Sequence, residues 1–377
     1  MMIFPEIKGN FGFGCMRLPM ADGEVDHEQF CRMADAFIAA GFNYFDTAHG
    51  YLDGKSETAV REAVVKRHPR ERFLLTDKLS ANFFHSEDEL RPLFESQLAA
   101  CGVDYFDFYL MHAQNASVYK KYRRCRAYEF ALGLRAEGKI RRFGISFHDR
   151  AEVLDGILTD WPQIEVVQIQ LNYADWESAS VQSRQVYEVC RKHGKPAFVM
   201  EPVKGGCLVK LPEAAEAALD RLTPRRSNAS YALRFAAGLP DVRVVLSGMS
   251  DEAQMADNLA TMGDFKPLSE DERAALDAAR QALQSLNMIP CTACRYCVLE
   301  NACPKGIRIP ELFSCYNLKN TFHSWNQDYY YTYILTRDGG RASECVGCGG
   351  CESACPQHLP IRRLLKDVAG EFEKDKK

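Results

Sequence analysis

Four side chains with interlocking chemistry stand at or just beyond the carboxyl ends of apolar runs. They are Asp46 and Tyr51 in FNYFDTAHGY, Lys78 in RFLLTDK and His112 in YFDFYLMH. A phenol can give a proton to a carbonyl oxygen if its anion is made accessible. A neighbouring ammonium lowers the phenol's pKa, and a carboxylate keeps that ammonium charged and oriented. A neutral imidazole positions the substrate oxygen through a hydrogen bond. Asp46 is therefore expected to orient Lys78, Lys78 to tune Tyr51, and His112 to aim the carbonyl. The chemistry is acid catalysis of hydride addition, or base catalysis of the reverse. Any one of these residues alone is more often a salt bridge or a satisfied core group. Their recurrence at three consecutive strand ends points to a site.

A second constellation lies near the other end of the chain. Fifteen cysteines are present, and nine of them fall between Cys291 and Cys355. Clustered cysteines in a protein read as cytosolic suggest metal rather than a disulfide framework. CTACRYCVLENACP carries Cys291, Cys294, Cys297 and Cys303; CVGCGGCESACP carries Cys345, Cys348, Cys351 and Cys355. The second run has the C-x2-C-x2-C-x3-C-P spacing of two-cluster ferredoxins, where the fourth cysteine serves the other cluster. The first has two extra residues before its Cys-Pro. By that crossing, Cys291, Cys294, Cys297 and Cys355 would hold one [4Fe-4S] cluster, and Cys345, Cys348, Cys351 and Cys303 the second. Zinc is the competing reading, since C-x2-C pairs also build zinc ribbons. Cys315 is left over and reads as a buried thiol. The six cysteines before residue 290 read mostly as core or surface thiols, and Cys15 is the one that could face the barrel site.

The elements that must position the first set alternate. Strand patterns occur at NFGFGCMRLPM, Phe42–Asp46, Arg72–Lys78, Phe106–His112, KIRRFGIS, VVQIQLNY, KPAFVMEPVKGG and VRVVLSGM. Helical patterns cover His27–Ala40, Ser56–Lys66, Glu87–Ala100, about Tyr122–Glu137, Ala151–Leu158, Ser180–Lys192, Asn228–Ala237 and Asp251–Met262. Eight βα repeats built on short continuous apolar strands predict a (β/α)8 barrel, whose active site lies at the carboxyl ends of the strands. An open doubly wound sheet is the alternative, but no GxGxxG follows the first strand. The reading assigns 1–265 to the barrel, 266–290 to a helical connector, 291–363 to a small α-helical ferredoxin-like iron–sulfur domain and 364–377 to a charged tail. The aromatic insertion HSWNQDYYYTY is expected to pack against another surface.

Composition sets the outer bounds. The 377-residue chain is 46% hydrophobic and 26% charged with a net charge of -4. Those values fit a soluble globular protein and give no electrostatic reason to expect nucleic acid or an anionic membrane. No apolar run is long enough to span a bilayer. The segment MMIFPEIKGN lacks a basic stretch before an apolar core, so a cytoplasmic location is expected.

With GFGCMRLP, FDTAHGY, Lys78, LMH, GKIRRFGIS, VVQIQLNY and EPVKGG together, the chain resembles the aldo-keto reductases. MEPVKGG and CPQHLPI look like a branch of that family with a C-terminal ferredoxin-like domain. The resemblance implies an NADP or NAD cofactor lying across the barrel mouth. Ser146 and Gln168 would hold its carboxamide. Gly205, Gly206 and the segment SGMSDEAQMADN, with Ser247, Gln254 and Asn258, would meet its phosphates and adenosine. Met200 stands where the family usually stacks an aromatic on the nicotinamide, and no basic residue follows the eighth strand. Since Arg and Lys are the usual partners of a phosphate monoester, the choice between NAD and NADP stays open.

Clusters move single electrons and nicotinamide moves a hydride. The first expectation is a carbonyl–alcohol oxidoreductase acting on a small substrate, with clusters that exchange electrons with a ferredoxin-type partner. A flavin could relay between the two, but no flavin site is legible. The alternatives are a nicotinamide-dependent reductase whose clusters only brace the fold, and a redox-sensing subunit that keeps the barrel site as a ligand pocket.

Overall fold

Eight short runs rich in aromatic and aliphatic residues form parallel strands. They are β1 Phe11–Gly14, β2 Tyr44–Asp46, β3 Leu74–Leu79, β4 Phe106–Gln114, β5 Ile140–Phe147, β6 Val166–Gln170, β7 Ala197–Met200 and β8 Val242–Ser247. Each pairs with its sequence neighbours, and β8 returns to β1, so the barrel is closed. The computed structural model describes residues 4–178, 181–286, 288–299, 303–321, 327–337 and 339–373. By internal packing the chain divides into two units. One comprises Met1–Glu177, Gln182–Val203 and Arg226–Ser269; the other comprises Ser178–Val181, Lys204–Arg225 and Glu270–Lys377.

Side-chain alternation with period two sorts the first unit into two cores. Tyr44, Phe108, Val166, Phe198, Val244 and Leu246 fill the barrel interior together with Phe4. The rings of Tyr44, Phe108 and Phe198 meet edge to face at 5.3–5.5 Å, closing the barrel floor. Residues of opposite parity, among them Phe13, Phe45, Leu75 and Tyr109, pack outward in a larger core with helical residues such as Phe30, Phe37 and Phe94. Glycine makes the interior filling possible. A Cβ on Gly144 would lie 2.5 Å from Val166 Cγ1, and one on Gly12 would lie 2.7 Å from Leu246 Cδ2.

The strand register then aligns the site. Asp46 lies opposite Thr76, Lys78 opposite Leu110, and Ser146 opposite Gln168. Asp46, Lys78 and His112 share parity with the interior residues Tyr44, Leu74 and Phe108 of their strands, so they point inward nearer the carboxyl ends of those strands.

The helices depart from expectation in three places. The single helix expected over about Tyr122–Glu137 is two, Ala116–Arg124 and Ala127–Ala136, broken at Arg126 with φ of 53°. Asn115 begins the first by accepting from the Ser117 and Val118 N–H groups at 2.9 Å. The helix after β2 runs as Lys55–Val60 into a π-turn at Arg61–Val65. A helix at Glu213–Leu219 had no counterpart in the sequence reading, and it packs with Glu270–Ser285 inside the second unit. That last helix is the element read as a connector.

In the second unit, Ile307, Ile309, Leu312, Phe313, Leu359, Ile361, Leu365 and Val368 form a core against which several cysteines sit. Of the aromatic insertion, Tyr331 stacks on Phe372 at 4.5 Å, while Trp325 lies outside the described residues, as do residues 374–377 of the charged tail. Among the described residues no helix is long and apolar enough to cross a membrane.

Candidate active site

Lys78 is the hub of the barrel site. Its Nζ donates to Asp46 Oδ1 at 2.6 Å, to the Thr47 carbonyl at 2.7 Å and to Tyr51 Oη at 3.2 Å. All three protons of the ammonium are thereby directed. The Thr47 N–H pairs with the Thr76 carbonyl at 3.0 Å and the Tyr51 N–H with the Ala48 carbonyl at 3.0 Å, so the loop leaving β2 folds back over β3. Leu52 and Asp53 follow with φ of 54° and 55°, a sharp turn that sets Tyr51 at the site. The Tyr51 and His112 rings meet at 5.7 Å and 74°. Ser80 Oγ lies 2.6 Å from His112 Nδ1, which commits that nitrogen to the protein. The structure thus brings Asp46, Tyr51, Lys78 and His112 together.

The electrostatics correct one expectation. Lys78 was expected to lower the Tyr51 pKa. Burial, followed by the Asp46 and Asp77 carboxylates, instead holds the phenol well above its usual value. Tyr51 is therefore a firmly protonated donor, as an acid needs to be. His112 is held well below the usual imidazole value by burial, then by the Lys78 ammonium and His148. It is neutral. Burial raises the Asp46 carboxyl, and the Lys78 ammonium opposes that rise.

Behind Lys78 lies a polar layer that the sequence reading missed. Gln97 donates to the Lys78 carbonyl at 2.9 Å and accepts from Tyr109 Oη at 2.6 Å. Asp77 Oδ1 accepts from the Lys78 N–H at 2.7 Å. Glu57, Asp77 and Cys101 place one polar atom each within 4.8 Å of one another, all buried, and His49 Nδ1 lies 3.0 Å from Glu57 Oε2. Burial pushes the Glu57 carboxyl up to about 7, and Asp77 well above its usual range by burial and then by Glu57. The two acids share a pocket too dry for two charges. The polar pair Asp77 and Lys78, adjacent on a strand of buried residues, was the one available signal. Tyr122 adds a donor to the Leu79 carbonyl.

The residues expected at a cofactor divide. Gln168 is buried, and its Oε1 has no hydrogen-bond partner among the described residues. Ser146 Oγ accepts from the Ala113 N–H at 2.8 Å. Ser247 Oγ accepts from Asn258 Nδ2 at 2.8 Å, and Gln254 Oε1 accepts from the Ser250 N–H at 2.9 Å. The exit of β8 is also overlaid by Arg17, whose side chain lies 3.2–3.5 Å from where a Cβ on Gly248 would be. Gly205 and Gly206 fall in the second unit. A Cβ on Gly205 would come 2.3 Å from the Thr292 carbonyl oxygen, and Cys207 Sγ donates to the Cys291 carbonyl at 3.7 Å. The Gly-Gly loop is therefore packed on the segment of the first cysteine group. Cys15 is buried, and burial pushes its thiol far up, so it is no nucleophile.

In the second unit, Cys291, Cys294, Cys297 and Cys355 line one cavity with Phe313 and Ile361. Burial raises Cys297 to about 12, helped by Cys291, Cys355 and Cys351. Cys351 is raised to about 11 by burial, then by Glu352, Cys345 and Cys348. Thiols packed this closely resist ionisation unless a cation holds them. Cys315 lies apart, donating to the Gln327 carbonyl at 3.4 Å.

Comparison with known proteins agrees with the barrel. The model of the Aldo/keto reductase family matches residues 10–281 and stops before the first cysteine group. The NAD(P)H-dependent D-xylose reductase xyl1 of Hypocrea jecorina is 31% identical over 123 residues, 31% of this chain and 37% of that protein. The NADH-specific methylglyoxal reductase of Escherichia coli is 25% identical over 210 residues, 50% of this chain and 61% of its own. The chain thus spans about a third to three fifths of these curated relatives. An aldo-keto reductase of Klebsiella pneumoniae in complex with NADPH superposes with a TM-score of 0.58 at 24% identity, over 71% of this chain and 89% of that one. One from Bacillus halodurans, in its holo form, gives 0.58 at 23% identity over 72% and 91%. At these identities the solved structures speak for the fold alone, and the family match rests on its own span: the chain belongs to the aldo/keto reductase family.

Proposed function

We propose that the barrel interconverts a small carbonyl compound and its alcohol with NAD or NADP, Tyr51 being the proton donor and acceptor. The observation that carries this reading is the single Lys78 ammonium bonded at once to Asp46, the Thr47 carbonyl and Tyr51. A reduced nicotinamide supplies hydride when bound. The chain's own residues do the rest. Tyr51 releases its proton to the carbonyl oxygen as negative charge develops there, and the Lys78 ammonium at 3.2 Å stabilises the phenolate left behind. Asp46 keeps Lys78 charged in a buried site. Neutral His112 donates to the substrate oxygen and fixes its approach. The unpartnered, buried Gln168 Oε1 suits an amide donor such as the cofactor carboxamide, with Ser146 beside it in register. Ser247, Gln254 and Asn258 at the exit of β8 would meet the adenosine half.

The second unit is read as the holder of two [4Fe-4S] clusters, with Cys291, Cys294, Cys297 and Cys355 for one and Cys345, Cys348, Cys351 and Cys303 for the other. The shared cavity of the first four supports the crossing of Cys355. Zinc is the competing occupant, and two triplets each with a trailing Cys-Pro suit it poorly. Clusters supply one-electron chemistry, and a ferredoxin-type protein is their natural exchange partner.

The test is anaerobic purification with iron and sulfide counted, then titration with NADH, NADPH and dithionite, alongside a Tyr51→Phe variant. Loss of general acid–base catalysis should lower kcat by roughly 100- to 10,000-fold, with nicotinamide binding by fluorescence unchanged. A Tyr51→Phe protein as active as the wild type would overturn the assignment. Zinc in place of iron would overturn the cluster reading.

A further inference from the structure

An open cleft of about 700 Å³ in the second unit has no part in the barrel chemistry. It lies beside the second cysteine group, and Cys345, Gly347, Glu352, Arg362, Arg363 and Lys366 line it. The helix Ile361–Phe372 sorts its charges by face. Arg362, Arg363 and Lys366 line the cleft, whereas Asp367 and Glu371 act on Tyr316, and Glu371 pairs with Lys319 at 2.9 Å. Arg362 binds Glu352 at 2.8 Å and reaches the Gly347 carbonyl at 3.4 Å, so its guanidinium lies along the loop from Cys345 to Cys348. Arg363 and Lys366 form no ion pair with any described residue. The loop itself is uncovered: Val346 is 59% exposed and Cys348 is exposed, whereas Cys297 and Cys355 at the other cysteine group are buried.

We propose that this cleft is the docking surface for an acidic one-electron carrier protein whose carboxylates surround its redox centre. The inference rests on the iron–sulfur reading above and adds the place and sign of the contact. Among the residues lining the cleft, three cations face one carboxylate, two of the cations have no ion-pair partner among the described residues, and together they create a positive field beside an open cysteine loop. Such a field steers an oppositely charged protein and holds it weakly, as brief electron-transfer encounters require. The exposed apolar Val346, between the lining residues Cys345 and Gly347, supplies a small dry contact. A small anion is the less suitable occupant, because the cations spread along an open helix face and the Glu352 carboxylate sits among them.

The experiment uses the full chain, purified anaerobically with its iron counted, and a small acidic two-cluster bacterial ferredoxin as the probe. Binding is measured by calorimetry at low and at high sodium chloride. Wild-type protein should bind the ferredoxin, and salt should weaken binding by about tenfold or more. Arg363→Glu with Lys366→Glu should weaken low-salt binding by about tenfold or more and flatten the salt dependence, with iron content retained. The neutral pair Arg363→Gln and Lys366→Gln should fall between. Lys120→Glu with Arg124→Glu, exposed cations on the first unit, should bind as the wild type does. An iron-replete charge-reversed variant that binds like the wild type overturns the docking surface alone. Binding of inorganic phosphate at the cleft without binding of ferredoxin overturns it too. A chain that carries no iron overturns the cluster reading, and the proposal with it.

Discussion

Lys78 Nζ and Asp46 Oδ1 stand 2.6 Å apart with their side chains 1% and 4% exposed, an ion pair almost fully withdrawn from water. Removing one partner of such a pair leaves an uncompensated buried charge, which typically costs about 3–5 kcal/mol. Lys78→Met should therefore lower the thermal midpoint on the order of 10 °C as well as abolish turnover. Lys78→Met combined with Asp46→Leu should recover part of that loss without recovering activity. A Lys78→Met protein that melts within a degree of the wild type would mean that Asp46 is not charged in the folded state.

Stability should depend on pH through Glu57. Its carboxyl is raised from the ordinary 4.5 to about 7, first by burial. Between those values the folded protein keeps a proton that the unfolded chain has released, so stability falls as pH rises through the window. Glu57→Gln carries no such proton. Its melting temperature relative to the wild type should climb from pH 4.5 to 7, by an amount corresponding to at most about 3 kcal/mol. A flat difference would place Glu57 in its ionised form throughout.

His112 contributes with the opposite sign. Its imidazole is held well below 6.5, so on acidification the unfolded chain takes up a proton before the folded protein does. Stability should decline as pH falls below 6.5, and His112→Gln should remove that part of the decline. Chemical denaturation at several pH values reads both effects. Identical slopes for His112→Gln and wild type would show the ring charged in the native state.

Iron content tests how the cysteines are shared. Cys355 lines one cavity with Cys291, Cys294 and Cys297. Cys355→Ser should destabilise the first cluster, and iron should fall from about eight to about four per chain with the remaining signal that of one cubane. Retention of full iron and of wild-type spectra would sever Cys355 from the cluster.

The loop after β7 provides a packing test. Gly205 has φ of 64°, and its missing Cβ leaves room for the Thr292 carbonyl oxygen. Gly205→Ala combines backbone strain with a steric collision, a loss of roughly 2 kcal/mol or more. Because Thr292 adjoins Cys291, iron should also leave this variant faster in a chelator. Unchanged stability and chelation kinetics would show that the loop relaxes freely.

Much of the barrel was legible because its signal is repetitive. Eight apolar runs at regular spacing admit few topologies, and the strand ends at Asp46, Lys78 and His112 stood out as polar residues closing apolar segments. The misses are of another kind. The helix at Glu213–Leu219 is short, and its buried face of Ala215, Ala218 and Leu219, though helically spaced, is mostly alanine and gives a weak signal. The break at Arg126 is a left-handed residue in a stretch whose composition suits one continuous helix. The Glu57–Asp77 pocket joins a helix to a strand 20 positions away, and adjacency of that sort leaves no trace in spacing.

The sequence by itself determined which groups exist and in what order. It set eight apolar strand runs alternating with helices, an acid, a phenol, an ammonium and an imidazole at or just beyond the ends of three of them, and two cysteine triplets each followed by a Cys-Pro. Those are local matters, governed by period, propensity and covalent spacing. Tertiary structure decided what the groups do to one another. It turned the three protons of Lys78 on three acceptors, and it withdrew Tyr51 partly from water near the Asp46 and Asp77 carboxylates, so that its phenol stays protonated beside a cation. It also packed Gly205 on Thr292 and gathered Arg362, Arg363 and Lys366 around an open cleft. Such outcomes depend on distance and on exclusion of water, and a linear order of residues specifies neither until the chain has folded.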